Sequence, residues 1–242
     1  MMNDNDDMTI LDVCKINAPF GFIKRNIIYL VDKGSNLDLQ DKIERTALIF
    51  ACMNNNIEIA KILIDKGANL DKQAKDGWSA LIWSCKKNNT KIAKMLIDNK
   101  ANLDLQDKNG WTALSLVCYE NNTEIAKMLI TPKSGMGANL NLQDKNGWSA
   151  LSLACYKNNT EITKMLITPN SGMGANLNLQ DKNGDTALIW ACSNNNTEII
   201  KILIDNGANL YTQNKNGGTA LKRVCFKNNT ELACYILEYM SS

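Results

Sequence analysis

The chain has 242 residues, of which 45% are hydrophobic and 21% charged, with a net charge of +2 and no histidine. So small a charge argues against nucleic acid or an anionic membrane as the main partner. The missing histidine removes the commonest general base and most zinc sites, though not a carboxylate or cysteine enzyme.

In chain order, Met1 to Met8 (MMNDNDDM) is acidic and polar and lacks the basic and apolar regions of a signal peptide. No later run approaches the ~18 apolar residues that span a membrane, which predicts a soluble, intracellular protein with no membrane partner. Residues 8–34 read as a degenerate N-terminal capping unit, with helical stretches at Thr9 to Cys14 and Ile27 to Val31 and an irregular insert at 17–21.

Regular repeats follow over 35–210. Thr/Ser-Ala-Leu starts at Thr46, Ser79, Thr112, Ser149, Thr186 and Thr219, at intervals of 33, 33, 37, 37 and 33 residues. Ala-Asn-Leu starts at Ala68, Ala101, Ala138, Ala175 and Ala208 with the same period. Two independent markers with one period define a repeat array. The two longer intervals come from four-residue insertions near 131–136 and 168–173, each with a Pro followed by Gly residues. That composition predicts loops, which should form one local bulge on neighbouring repeats. Residues 211–242 read as a C-terminal capping repeat, in which Cys234 replaces an outward Lys.

One repeat, Asp107 to Leu140, illustrates the local logic. Asp107-Lys-Asn-Gly110 is a turn. Thr112 is placed to cap a first helix over Ala113 to Tyr119, whose apolar face holds Leu114, Val117 and Cys118. Glu120-Asn121-Asn122 ends it, since Asn tolerates the left-handed conformation, and Asn122 then caps a second helix with Ile125, Ala126, Leu129 and Ile130 inward. Lys127 faces outward, three residues after Glu124, where the two can pair weakly. Neither helix reaches three turns, so each is marginal alone and the repeats must stack to bury their apolar faces.

Asp-Lys-Asn-Gly-Trp-Thr-Ala-Leu, then Glu-Ile-Ala-Lys-Met-Leu-Ile, then Gly-Ala-Asn-Leu resembles the ankyrin repeat over roughly residues 35 to 240. The resemblance implies an all-α ankyrin-repeat solenoid of stacked helix-turn-helix units with hairpin-like loops. It also implies a scaffold for protein–protein interaction, with a partner in the concave groove and on the hairpin tips. In the family's Thr-Pro-Leu-His, Pro is Ala here throughout, and His becomes Ile49, Ile82, Ser115, Ser152, Ile189 or Lys222. Gly-His between the helices becomes Asn-Asn. Losing the family's Thr–His hydrogen-bond ladder predicts more loosely held loops. The Asn-rich style looks like arrays encoded by large DNA viruses or AT-rich protist genomes, which would place a viral version in the host cytoplasm.

Six of eight cysteines (Cys52, Cys85, Cys118, Cys155, Cys192, Cys225) hold one repeat position. Neighbouring helices lie about 8–10 Å apart, beyond the ~7 Å reach of a disulfide. A ladder of free, buried thiols is therefore predicted, in a reducing compartment such as the cytoplasm, with no metal and no cofactor.

The residue before each Thr/Ser and those four and eight further on share one helical stripe. The stripes read Trp78–Ile82–Lys86, Trp111–Ser115–Tyr119, Trp148–Ser152–Tyr156 and Asp185–Ile189–Ser193. Trp and Tyr are preferred binding anchors, so Trp78, Trp111, Ser115, Tyr119, Trp148, Ser152, Tyr156, Asp185 and Ile189 are the candidate partner-binding residues. Trp83 and Trp190 are predicted to be partly buried. The tip residues Lys42, Lys108, Lys145, Lys182 and Lys215 alternate with aspartates and read as a solvated edge. No phosphate loop, nucleophile elbow or metal motif is present, so no catalytic residue and no small-molecule substrate is assigned. An adaptor or effector recruiting host proteins is the narrower alternative. Single-stranded nucleic acid on the aromatic and lysine residues is the weaker one.

Overall fold

The computed structural model describes residues 8–16, 19–133, 135–168 and 174–241. Among them the protein is all-α, with fourteen helices and no strand longer than an isolated bridge. The helices come in pairs: α1 (Ile10–Lys15) with α2 (Phe20–Asp32), α3 (Ala47–Met53) with α4 (Ile57–Asp65), α5 (Ala80–Lys86) with α6 (Thr90–Asp98) and α7 (Ala113–Tyr119) with α8 (Thr123–Ile130). They continue with α9 (Ala150–Tyr156) and α10 (Thr160–Ile167), α11 (Ala187–Ser193) and α12 (Thr197–Asp205), and α13 (Ala220–Phe226) and α14 (Thr230–Ser241). Two compact units divide between Lys108 and Asn109.

The helix ends explain why so short a repeat holds its shape. Thr46, Ser79, Thr112, Ser149, Thr186 and Thr219 each accept the backbone N–H three residues on with their side-chain oxygen, capping the inner helices. Such a cap is worth about 1 kcal/mol, a large share of what a seven-residue helix needs. The Asn-Asn doublet does two jobs. Asn55, Asn88, Asn121, Asn158, Asn195 and Asn228 are left-handed, with φ between 52° and 64°. The following Asn accepts the backbone N–H of Ile59, Ile92, Ile125, Ile162, Ile199 or Leu232 and starts the outer helix.

In the first unit α3 packs on α4 and α5, and α5 on α6, burying Leu48, Leu63, Leu81, Ile92 and Leu96. In the second α7, α9, α11 and α13 pack in succession over Leu114, Val117, Leu129, Leu151, Leu166, Leu188 and Leu203. Cys52, Cys85, Cys118, Cys155 and Cys192 are free and buried. Burial pushes the thiols of Cys52, Cys155 and Cys192 up to about 12. Cys225 departs from the predicted buried ladder: it is exposed, because α13 has an inner-helix neighbour, α11, on one side only among the described residues.

The loss of the Thr–His ladder is made good by amides. Gln73 Nε2 donates to Gly77 O within its own hairpin (2.5 Å) and to Gln106 O in the next (2.9 Å). Gln143 does the same with Gly147 O and Gln180 O. Backbone bonds run beside them, from Lys75 N to Ile43 O, Lys145 N to Asn109 O and Lys182 N to Asn146 O. Asn159 Nδ2 donates to Asn121 Oδ1, and Asn229 Nδ2 to Asn195 Oδ1 (2.9 Å). Neighbouring hairpins are thus tied by amide and backbone bonds, and neighbouring inter-helix turns by asparagine pairs, contacts that stand where the missing histidine ladder would be. The tips demand glycine: a Cβ on Gly77 (φ +86°) would lie 2.7 Å from Asp107 Cα, and one on Gly110 (φ +85°) 2.8 Å from Asp144 Cα.

On the outer helices, lysines pair between repeats, Lys164 with Glu198 (2.6 Å) and Lys201 with Glu231 (3.9 Å). Lys94 pairs within its own helix, with Asp98. Both kinds of pair thus occur on the outer helices. In the first insertion, Thr131 Oγ1 donates to Lys127 O and Met136 is 93% exposed. Residues 134 and 169–173 lie outside the described residues, and with them the predicted bulge of the two insertions.

Candidate protein-interaction surface

The first five hairpins end at an aromatic or charged residue, Arg45, Trp78, Trp111, Trp148 or Asp185, one position before the N-cap of an inner helix, and the last at Gly218. In the first unit Trp78 is half-buried. Its Nε1 donates to Asp107 Oδ2 (3.2 Å), and its ring meets Trp83 at 4.6 Å and 53°. Nearby, Arg45 donates to Asp41 through both Nε (3.0 Å) and Nη2 (2.8 Å) and lies 4.5 Å from the Phe50 ring centre. Burial raises the Asp41 carboxyl. The backbone and side-chain N–H groups of Arg45 and the backbone of Ile43 outweigh that and hold it at about 2.

In the second unit five rings form a pair and a triad, bridged by Lys157. Trp111 meets Tyr119 edge-on at 5.4 Å, and Trp148 meets Tyr156 at 5.3 Å. Trp190 stacks on Trp148 at 4.6 Å and touches Tyr156 at 5.3 Å. Lys157 Nζ sits 3.8 Å from the centre of Tyr119 and 5.7 Å from that of Tyr156. Trp190 Nε1 donates to Asp181 Oδ2 (3.2 Å). Tyr119 and Tyr156 are 38% and 42% exposed, and the three tryptophans are half-buried. Aromatic pairs of this geometry add about 0.5–1.5 kcal/mol beyond the area they bury, so the rings are held rigid before any partner arrives.

The middle of each predicted stripe is not surface. Ser115 and Ser152 are buried because their hydroxyls close a capping box. Ser115 Oγ accepts Thr112 N–H (2.8 Å) and donates to Thr112 O (2.9 Å). Ile189 is buried in the core at 1% exposure. Asp185 is buried as well, accepting Asn214 Nδ2 (2.7 Å), with Arg223 Nη2 at 3.9 Å. These four candidates are corrected to structural residues. Residues four apart do share a helix face, but at the third helical position the two serines fold back over their own caps and Ile189 packs into the core, while Asp185, ahead of the N-cap, is engaged by Asn214 of the next hairpin.

Trp78, Trp111, Tyr119, Trp148 and Tyr156 retain exposed area. Two further members, Trp190 and Lys157, lay outside the stripe. The signal for Trp190 was an aspartate nine residues earlier, which supplies the acceptor that a half-buried indole needs.

Among the described residues no helix is long and apolar enough to cross a membrane, and no group of His, Cys, Asp or Glu is gathered to hold a metal ion. The ankyrin-repeat family profile matches three times, over residues 18–107, 97–181 and 170–242. The comparison with curated proteins gives no match. Among solved structures, the ankyrin repeat domain of Bcl-3, described as a unique member of the IkappaB protein family, superposes with a TM-score of 0.75 at 21% identity. The match covers 97% of this chain and 100% of that one, and at such identity it is a likeness of fold. The chain therefore belongs to the ankyrin-repeat proteins, whose repeats generally serve as protein–protein interaction modules.

Proposed function

We propose that this protein is a non-enzymatic interaction scaffold whose partner protein docks on the aromatic face of the second unit. The observation that carries the reading is the set of five partly exposed rings, the pair Trp111–Tyr119 and the triad Trp148–Tyr156–Trp190, packed on one another within each group and bridged by Lys157. Binding there orders few side chains, and Trp and Tyr dominate the small sets of residues that carry interface energy. Trp78 offers a further anchor on the first unit, and the exposed tip lysines and asparagines supply a polar rim. The free thiols support a reducing, cytoplasmic setting. An adaptor that recruits proteins would work through the same surface.

The test is a pull-down from source-cell lysate with the native chain and with a Trp111→Ala, Tyr119→Ala, Trp148→Ala, Tyr156→Ala variant, after circular dichroism shows both folded. A protein retained by the native chain and lost by the variant places the partner on this face. Equal retention moves the interface elsewhere and ends the reading.

A further inference from the structure

The hairpin that begins at residue 74 departs from its counterparts at one position. Five residues before the N-cap, the repeats carry Asp41, Asp107, Asp144, Asp181 and, in the last, Asn214, but here the residue is Ala74. The aspartate has defined work. Asp181 Oδ1 accepts the backbone N–H of Asn183 (2.8 Å) and Asp185 (2.9 Å), while its Oδ2 accepts the indole N–H of Trp190 (3.2 Å). Trp190 stands four residues after Thr186, and Trp83 stands four after Ser79, so Trp83 is to Ala74 what Trp190 is to Asp181. With the carboxylate missing, Trp83 Nε1 is buried and has no hydrogen-bond partner. Buried donors are seldom left so, because their lost hydration is not replaced.

The small side chain also leaves space. A groove of 470 Å³ is lined by Ala74 and Trp83, with Ile43 and Met53 as apolar walls. Lys75 and Lys108 stand on its rim, and their ammonium groups meet no carboxylate among the described residues. Asp76 opposes them, and the lining Arg45 is neutralised by Asp41. The groove thus combines an unfilled acceptor position, an unsatisfied N–H and a net positive rim, all within the first unit.

We propose that this groove is a carboxylate-binding subsite, in which an Asp or Glu side chain of a protein partner enters beside Ala74, accepts the Trp83 indole N–H and pairs with Lys75 and Lys108. The carboxylate takes the place that Asp181 fills from within the chain three hairpins later, in the same class of turn. The subsite rests on the scaffold reading only for the source of the carboxylate. It does not involve the aromatic face of the second unit.

The experiment is an NMR titration of the ¹⁵N-labelled full chain, following the Trp83 indole resonance, assigned with Trp83→Phe. The probes are the peptide acetyl-Leu-Glu-Glu-Leu-amide, its Gln-Gln twin and sodium acetate, each at millimolar concentration. The expected result is a saturable shift of the Trp83 indole with the Glu peptide, little with the Gln twin, and weaker binding of acetate. Ala74→Asp supplies the carboxylate internally and should weaken the Glu peptide at least about tenfold, the loss of one charged contact. If that variant does not fold, Lys75→Ala with Lys108→Ala must produce a comparable loss. An indole resonance unmoved by the Glu peptide, equal shifts with the Glu and Gln peptides, or acetate binding as well as the peptide would each overturn the proposal. The pull-down described above uses none of these residues, so the two readings fail separately.

Discussion

Lys157 holds its ammonium 3.8 Å from the ring centre of Tyr119, which belongs to the preceding repeat. The contact fastens the end of α9 to the end of α7 on the same side as the ring cluster. An exposed cation–π contact is worth about 0.5–1 kcal/mol. Lys157→Met should therefore lower Tm by about 2–4 °C per kcal/mol lost in a chain of this size. Tyr119→Leu removes the same contact from the other side. A double-mutant cycle by urea denaturation should return a coupling energy within the same range. Strictly additive effects would mean that the contact contributes nothing.

Asn121 combines a left-handed backbone (φ 64°) with a side chain that accepts from Asn159 in the next repeat. The two roles separate by substitution. Asn121→Gly keeps the backbone conformation and loses the side-chain bond, for about 0.5–1.5 kcal/mol. Asn121→Ala loses both, and a left-handed Ala costs a further ~1–2 kcal/mol. Urea midpoints should fall in the order native, Gly, Ala. An Ala variant as stable as the Gly variant would show that the backbone requirement is absent.

The cysteine ladder fixes an alkaline limit to stability. Burial holds Cys52, Cys155 and Cys192 neutral up to about 12, and pushes Cys85 and Cys118 upward too. An unfolded thiol titrates near about 8.5. A raised acid pKa gives stability that is complete below the unfolded value and lost as pH rises toward the folded one. The urea midpoint should therefore be flat below about pH 8 and fall between about 9 and 12. Cys155→Ala with Cys192→Ala should flatten that fall. At neutral pH a thiol reagent should label the exposed Cys225 and Cys234 at once and the five buried cysteines only after unfolding. Rapid labelling of Cys118 in the folded chain would contradict the packing.

The repeat was legible because every copy must solve the same end problem. Thr112 and Asn122 cap in the structure where their place before apolar runs predicts, and Asn121 terminates where an Asn tolerating positive φ is required. The ladders were not legible. Nothing in the spacing of Gln73 or Gln143 says that an amide will reach the carbonyl of the next hairpin, since that depends on how far apart two stacked turns lie. The ring cluster was half legible. Trp111, Tyr119, Trp148 and Tyr156 share a helix face, but the stacking of Trp190 on Trp148 joins two repeats and follows from no period within one. Ala74 was invisible for a different reason: what matters there is a missing side chain, which shows only when the same position is seen carrying out its work in another hairpin.

The corrected stripe yields a dissociation between stability and binding. Ser115 and Tyr119 lie four residues apart on α7, yet one is 3% exposed and closes the cap while the other is 38% exposed and closes on Trp111. Ser115→Ala strips the buried Thr112 N–H of its acceptor, at a cost of about 1–3 kcal/mol. It leaves every ring of the cluster in place, so Tm should drop while the amount of partner retained at a temperature where the variant is folded stays native. Tyr119→Ala should do the reverse, with a modest change in Tm and a loss of retention, because an exposed ring anchoring an interface is worth ≥ ~2 kcal/mol to binding. Thermal melts and retention of the captured partner, measured on both variants, decide the matter. If Ser115→Ala abolished retention in the folded state, the partner would be reading the helix end itself and not the rings that flank it.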